Sequence, residues 1–150
     1  MSTTRDLLNG VASLIVAGVP GTSFNLAAVT QPSGIVLKTM PDSPDRVIVL
    51  NWIPMTDNIT LPFGSGILQI ATRGIRNNPL DVDDLADQIV DVLHGLKDVY
   101  LGTVHITQCN RSGGAIPMGQ DALVRNERVD KFYIDLDVPP TALRPAGGSW

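Results

Sequence analysis

The sequence predicts a single α+β domain built as a mixed, mainly antiparallel β-sheet flanked by two main helices. Three observations lead there. Two stretches repeat their apolar residues with a period near 3.6, and five others run or alternate in β-branched and apolar residues. The 150 residues show no internal repeat and no change of composition that would mark a second domain. A chain of that length buries about 70% of the surface it would expose unfolded, so one core suffices without staples.

The first helix starts near Thr3, where Asp6 three residues later suggests a capping box, and Leu7, Val11, Leu14 and Ile15 recur on one face. Gly18, Pro20 and Gly21 end it. Strands are expected over 35–39 and 46–53, joined as a hairpin by Pro41-Asp42-Ser43-Pro44-Asp45, which has turn chemistry throughout. In the second of these strands both sides are largely apolar, which places it centrally in the sheet. Two prolines and two glycines within 54–66 predict a long loop. A third strand follows over 67–73.

Asn77-Asn78-Pro79 prepares the second helix, in which Val82, Leu85, Ala86, Ile89, Val90, Leu93 and Leu96 keep the helical period while aspartates crowd its start and outer face. Alternation over 103–108 and 128–138 predicts two half-buried strands, most simply antiparallel neighbours. The intervening 109–127 is too long for a simple turn, which marks it as a functional or mobile loop. Pro139-Pro140 stops the last strand, dividing the chain into a domain over 1–140 and a flexible tail over 141–150 that ends in Trp150.

Charge and composition narrow the function. Eleven Lys and Arg against fifteen Asp and Glu give a net charge of −4, which lacks the basic field of a nucleic-acid binder. No apolar run approaches the roughly 18 residues of a membrane span, and no secretory leader pattern precedes the first helix, so a soluble protein of a cytoplasm is expected. The soft ligands are His94, His105 and Cys109. His105 and Cys109, four apart on one strand, would lie on the same face about 13 Å apart at ~3.3 Å per residue, too far for one ion. No metal or cofactor is expected.

Asp81, Asp83 and Asp84 lack the glycine and terminal glutamate of a calcium loop and suit a helix start. Asp135 and Asp137, with Tyr133 nearby, are the one candidate acid–base set, and a solvated or interface-facing strand side explains them more simply. Gly113-Gly114 reads as a loop hinge.

The residues a lone domain does not need are more telling. Ile116 and Met118 in the 109–127 segment, Pro54-Met55 beside Trp52, and Trp150 are candidates for surfaces covered by another chain. Arg73, Arg111, Arg125 and Arg128 gather near the same strand ends in the expected topology, and arginine suits interfaces because its planar fork pairs with carboxylates. Of these, Arg73, Arg111, Ile116, Met118, Arg125 and Arg128, together with Asp121, are the expected subunit or partner interface.

A resemblance gives that interface a context. The run Gln69-Ile70-Ala71-Thr72-Arg73-Gly74, Asn78-Pro79 with the acidic helix, Gly102-Thr103-Val104, and Pro117-Met118-Gly119-Gln120-Asp121 with Arg125 and the strand that follows resembles the minor capsid or tail terminator proteins of long-tailed bacteriophages over roughly 44–140. The resemblance implies a structural virion protein and no enzyme. In such a family, copies form a ring, typically a hexamer, that caps the head-proximal end of the tail tube, stops its polymerisation and offers a docking surface to the head connector. The implied partners are other copies of the chain, the major tail tube protein and the head–tail connector protein, with neither a membrane nor sequence-specific nucleic acid, although DNA can pass through the ring lumen. The residues 111–125 would reach a neighbouring subunit or the tube. A head-completion or neck adaptor protein is the alternative, and a small hydrolase using Asp135 and Asp137 a more distant one.

Overall fold

A computed structural model describes residues 2–24 and 33–145; Trp150 and the end of the expected tail lie outside the described residues. Helix α1 spans Thr3–Gly18, and its N-cap is Ser2, whose side chain accepts from the Arg5 N–H at 3.3 Å. Asp6 does not complete a capping box. Its carboxylate turns to Thr103, accepting from that residue's hydroxyl and from its N–H at 2.9 Å, and these bonds hold its pKa below the usual carboxylate value. Leu7, Leu8, Val11, Ala12 and Ile15 form the buried face.

Among the described residues seven strands follow in one sheet: β1 (Thr22–Phe24), β2 (Ser33–Leu37), β3 (Arg46–Asp57), β4 (Phe63–Arg76), β5 (Val99–Leu101), β6 (Val104–Gln120) and β7 (Arg125–Asp137), with α2 (Asp81–Leu93) between β4 and β5. The spatial order is β1-β2-β3-β4-β7-β6-β5, parallel for β1/β2 and β2/β3 and antiparallel elsewhere. Both helices pack on one face. Leu85, Ile89 and Leu93 of α2 join the α1 residues in a single core with Ile48 and Leu50 of β3, Leu68 and Ile70 of β4, and Phe132, Ile134 and Leu136 of β7.

The expected hairpin over 35–53 is not formed. Strand β2 runs parallel to β3, Ser33 opposite Arg46 and Leu37 opposite Leu50. Turn-forming residues at 41–45 do bend the chain, but the connector also carries it back along the strand before β3 begins. Arg73 on β4 fixes that path by donating to the carbonyls of Pro44 at 2.7 Å and Asp45 at 2.9 Å. Because Arg73 and Val47 are register partners on the face away from the helices, the connector covers that end of the open face and buries Val47 and Val49.

Nor is 54–66 a long loop. Strand β3 continues through a bulge at Pro54/Thr56 to Asp57, and β4 begins at Phe63, so the loop shrinks to an Asx turn in which the Asn58 side chain accepts from the N–H groups of Thr60 (2.9 Å) and Leu61 (2.7 Å). Pro54 is tolerated because β2 pairs only as far as Leu50, which leaves this part of β3 a sheet edge that needs no donor. Gly66 lets β4 approach it. A Cβ there would lie 2.5 Å from the Ile53 carbonyl oxygen and 2.6 Å from Trp52 Cη2. Gly66→Ala is therefore expected to destabilise the fold by about 1–3 kcal/mol, read from the midpoint of urea unfolding.

Helix α2 ends at Leu93, one turn before Leu96, and Gly95 follows at φ +85°. Strands β1 and β5 were not expected; each is three residues long, too short for alternation to register.

Candidate functional site

Most of 109–127 is strand. Strand β6 runs on to Gln120 and β7 starts at Arg125, so the expected loop is a long β-hairpin arm closed by a turn at 121–124. The sequence hid this because β6 shifts register between Ile106 and Gln108, Ser112 and Ile116, and Pro117 and Gly119, and each bulge breaks the period of two. Gly113 at φ +70° and Gly119 at φ +78° sit within the last two irregular stretches. Strand β5 pairs with β6 only over 104–106, and among the described residues the arm's outer edge from residue 112 has no neighbouring strand.

Asp121 holds the turn. Its carboxylate accepts from the N–H groups of Leu123 and Arg125, each at 3.0 Å, and from Arg125 Nε at 2.8 Å. Although burial acts in the opposite sense, these bonds lower its pKa. Arg125, 3% exposed, also donates to the Asp42 carbonyl at 2.6 Å and to Asp45 Oδ1 at 3.1 Å. Asp45 is shared with Arg76, and the two guanidiniums keep its pKa low against the desolvation of its site. Arg73, 2% exposed, is held by the same connector, and burial beside Arg125 lowers its pKa. The turn of the arm is thus clamped to the β2–β3 connector on the open face.

A second cluster lies on the helix face. Arg128, 5% exposed, pairs with Asp130 at 3.0 Å and reaches α2 at Asp83 (3.0 Å) and Asp87 (2.9 Å). Burial opposes its charge, but these carboxylates raise its pKa. Arg111 Nη2 lies 3.3 Å from the same Asp130, while its Nε is buried without a partner among the described residues.

The four arginines expected to share one strand-end surface are therefore divided between the two faces, and their charges are directed within the chain. Sequence reasoning missed Asp42, Asp45 and Asp130. Asp130 did carry a signal: it occupies the inward register of Phe132, Ile134 and Leu136, where a charge requires a buried partner. Among the expected interface residues, Ile116, 43% exposed, and Met118, 57% exposed, are left facing outward along the arm, and the Pro54-Met55 pair expected to be covered is exposed on the outer part of β3. Leu123 and Val124 at the turn extend the arm's apolar surface.

The remaining candidates resolve individually. The bulge between Ile106 and Gln108 turns Cys109 into the core and leaves His105 on the open face, so they do not share a face as expected. Burial pushes the Cys109 thiol up to about 12. His94 Nδ1 accepts from the Arg111 N–H at 3.0 Å. Asp135 and Asp137 line a depression of about 480 Å³ with Thr56, Ser65 and Thr107, but Tyr133 is not part of its wall. Asp137 is engaged by His105 Nδ1 at 3.1 Å, and His105 Nε2 reaches Asp98 at 2.6 Å, so the histidine bridges two carboxylates under a stacked Tyr100.

Hydrogen bonds to Asp98 and then Asp137 raise the His105 pKa above 6.5. Its stabilising contribution is then fully present below pH about 6.5 and is lost as pH rises through the higher folded value. His105→Gln is expected to flatten that part of the Tm-versus-pH profile, measured by circular dichroism between pH 5 and 9.

Compared with known proteins, residues 22–138 match the model of a family described as bacteriophage tail terminator protein. Among solved structures, a chain from the virion of a native gene transfer agent particle superposes with a TM-score of 0.62 at 11% identity, covering 91% of this chain and 99% of that one. That likeness is one of fold. Curated protein sequences give no match.

Proposed function

The chain belongs to the bacteriophage tail terminator family, whose role in the virion is structural, and from that premise we propose that it forms a ring, typically a hexamer, at the head-proximal end of a tail tube. There it terminates polymerisation of the major tail tube protein and offers its opposite side to the head connector. The observation that carries this reading is the family match, which spans both the clamped turn and the whole arm.

The arm suits such a role physically. A ring needs a rigid domain with a surface directed at something other than its own core. Ile116 and Met118 supply the contact surface, toward neighbouring copies or the tube. Asp121 and Arg125 hold the arm's turn against the connector that Arg73 fixes on the open face, and Arg128 ties its base to α2. The role is structural rather than catalytic, in keeping with the family to which the chain belongs.

Deleting the gene tests the reading. Tubes of uncontrolled, excess length are the expected result, whereas tails of normal length detached from full heads would assign the protein to the neck instead.

A further inference from the structure

Four of the eleven Lys and Arg side chains, Arg5, Lys38, Lys97 and Lys131, have neither an ion pair nor a hydrogen bond among the described residues. Two of them stand together. Arg5 at the start of α1 and Lys38 just past β2 line one depression of about 250 Å³, with Leu8 and Leu37 as its apolar walls and Asn9 beside them. The N-terminus of α1 adds the positive end of its dipole to the same place. The depression thus holds two cations without an ion partner among the described residues, and lacks two anions.

The same chain displays that set elsewhere. Asp84, Asp87, Gln88 and Asp91 are exposed on α2 at i, i+3, i+4 and i+7, a single solvent-facing stripe about 10 Å long at 1.5 Å per residue. Asp84 and Asp91 have no ion partner among the described residues, and Asp87 is only partly engaged, by Arg128. The other exposed acidic group, Asp57, Asp135 and Asp137, is a poorer match, because it lines a depression itself and two of its carboxylates lie against Arg144 and His105. A convex helix fits a concave site; two concave sites do not meet.

No ion pair joins these two surfaces within one molecule among the described residues. About 20 Å of α1 separates Arg5 from Gly18, the residue that packs against Val92 at the far end of α2. We propose that the Asp84–Asp91 stripe of one copy seats in the Arg5–Lys38 depression of the next, as a side-to-side contact of the ring. The inference rests on the ring reading above. A contact between two different surfaces is heterologous, so it passes from copy to copy and closes when the rotation between copies permits.

Light scattering and negative-stain microscopy of the whole protein, alone and with tail tubes, test it. The wild type comes first: if it is monomeric in both settings, the ring reading itself fails. With a wild-type ring present, Arg5→Glu/Lys38→Glu and Asp84→Lys/Asp91→Lys are each expected to weaken assembly at least tenfold, and the four changes combined to restore it. Raising ionic strength should weaken the wild-type contact. Assembly of either one-sided variant at wild-type strength overturns the proposal, as does failure of the combined variant to recover. Circular dichroism checks folding, and if a reversal unfolds the chain, Arg5→Gln/Lys38→Gln and Asp84→Asn/Asp91→Asn are read by the same criterion of weakened assembly.

Discussion

Arg128→Ala is expected to destabilise the domain by about 3–5 kcal/mol, because it strips the closest cation from Asp130, which is only 2% exposed. The remaining partner of that carboxylate is Arg111, at 3.3 Å and with its own Nε already unpartnered. Asp83 and Asp87 on α2 would also lose the guanidinium that ties the helix to β7. A fall of roughly 10 °C in Tm should accompany the loss in a domain of this size. The control is Arg128→Met combined with Asp130→Leu. Removing both charges leaves no buried ion unpaired, so this double variant should recover much of the stability lost by the single one. Urea unfolding of the three proteins gives the comparison.

The second large effect is on assembly rather than folding. Ile116→Asp and Met118→Asp place a charge on apolar side chains that the core does not use, so stability should change by about 0.5 kcal/mol or less. At an interface each substitution would bury a carboxylate in place of an apolar group. A cost of at least 1.4 kcal/mol, hence about a tenfold or greater loss of affinity for each residue, is expected. Sedimentation of purified tail tubes with each variant measures it, and unchanged co-sedimentation would remove the arm from the contact surface.

How far the sequence foretells this molecule depends on whether its signals are periodic. Both helices are legible because Leu7, Val11 and Ile15, and Val82, Leu85 and Ile89, repeat at helical spacing with polar residues between them. The centres of β4 and β7 are legible for the same reason at a period of two. Bulges erase that signal. Strand β6 changes register three times, and so a seventeen-residue strand reads as a short strand and a loop. Pro54, Gly64 and Gly66 likewise read as loop, although an open edge and a close strand approach are what favour them.

Parallel pairing of β2 with β3 was illegible for another reason. Turn chemistry at 41–45 specifies a bend but not whether the next strand pairs going forward or back, and the deciding contact comes from Arg73, far along the chain. The candidate site shows the same division. Ile116 and Met118 stood out as apolar residues without a period, and the structure leaves them exposed. The arginines were visible as a group, but their partners Asp42, Asp45 and Asp130 become evident only once the connector and β7 are placed.

The central claim, that this chain caps a tail tube, is tested most directly by adding the purified protein to polymerising tail tube protein and imaging the products by electron microscopy. The account predicts a ring at one end of each tube and a tube length that shortens as the protein is added earlier. A protein that stays off the tube ends, with tubes growing as long as in its absence, would contradict it.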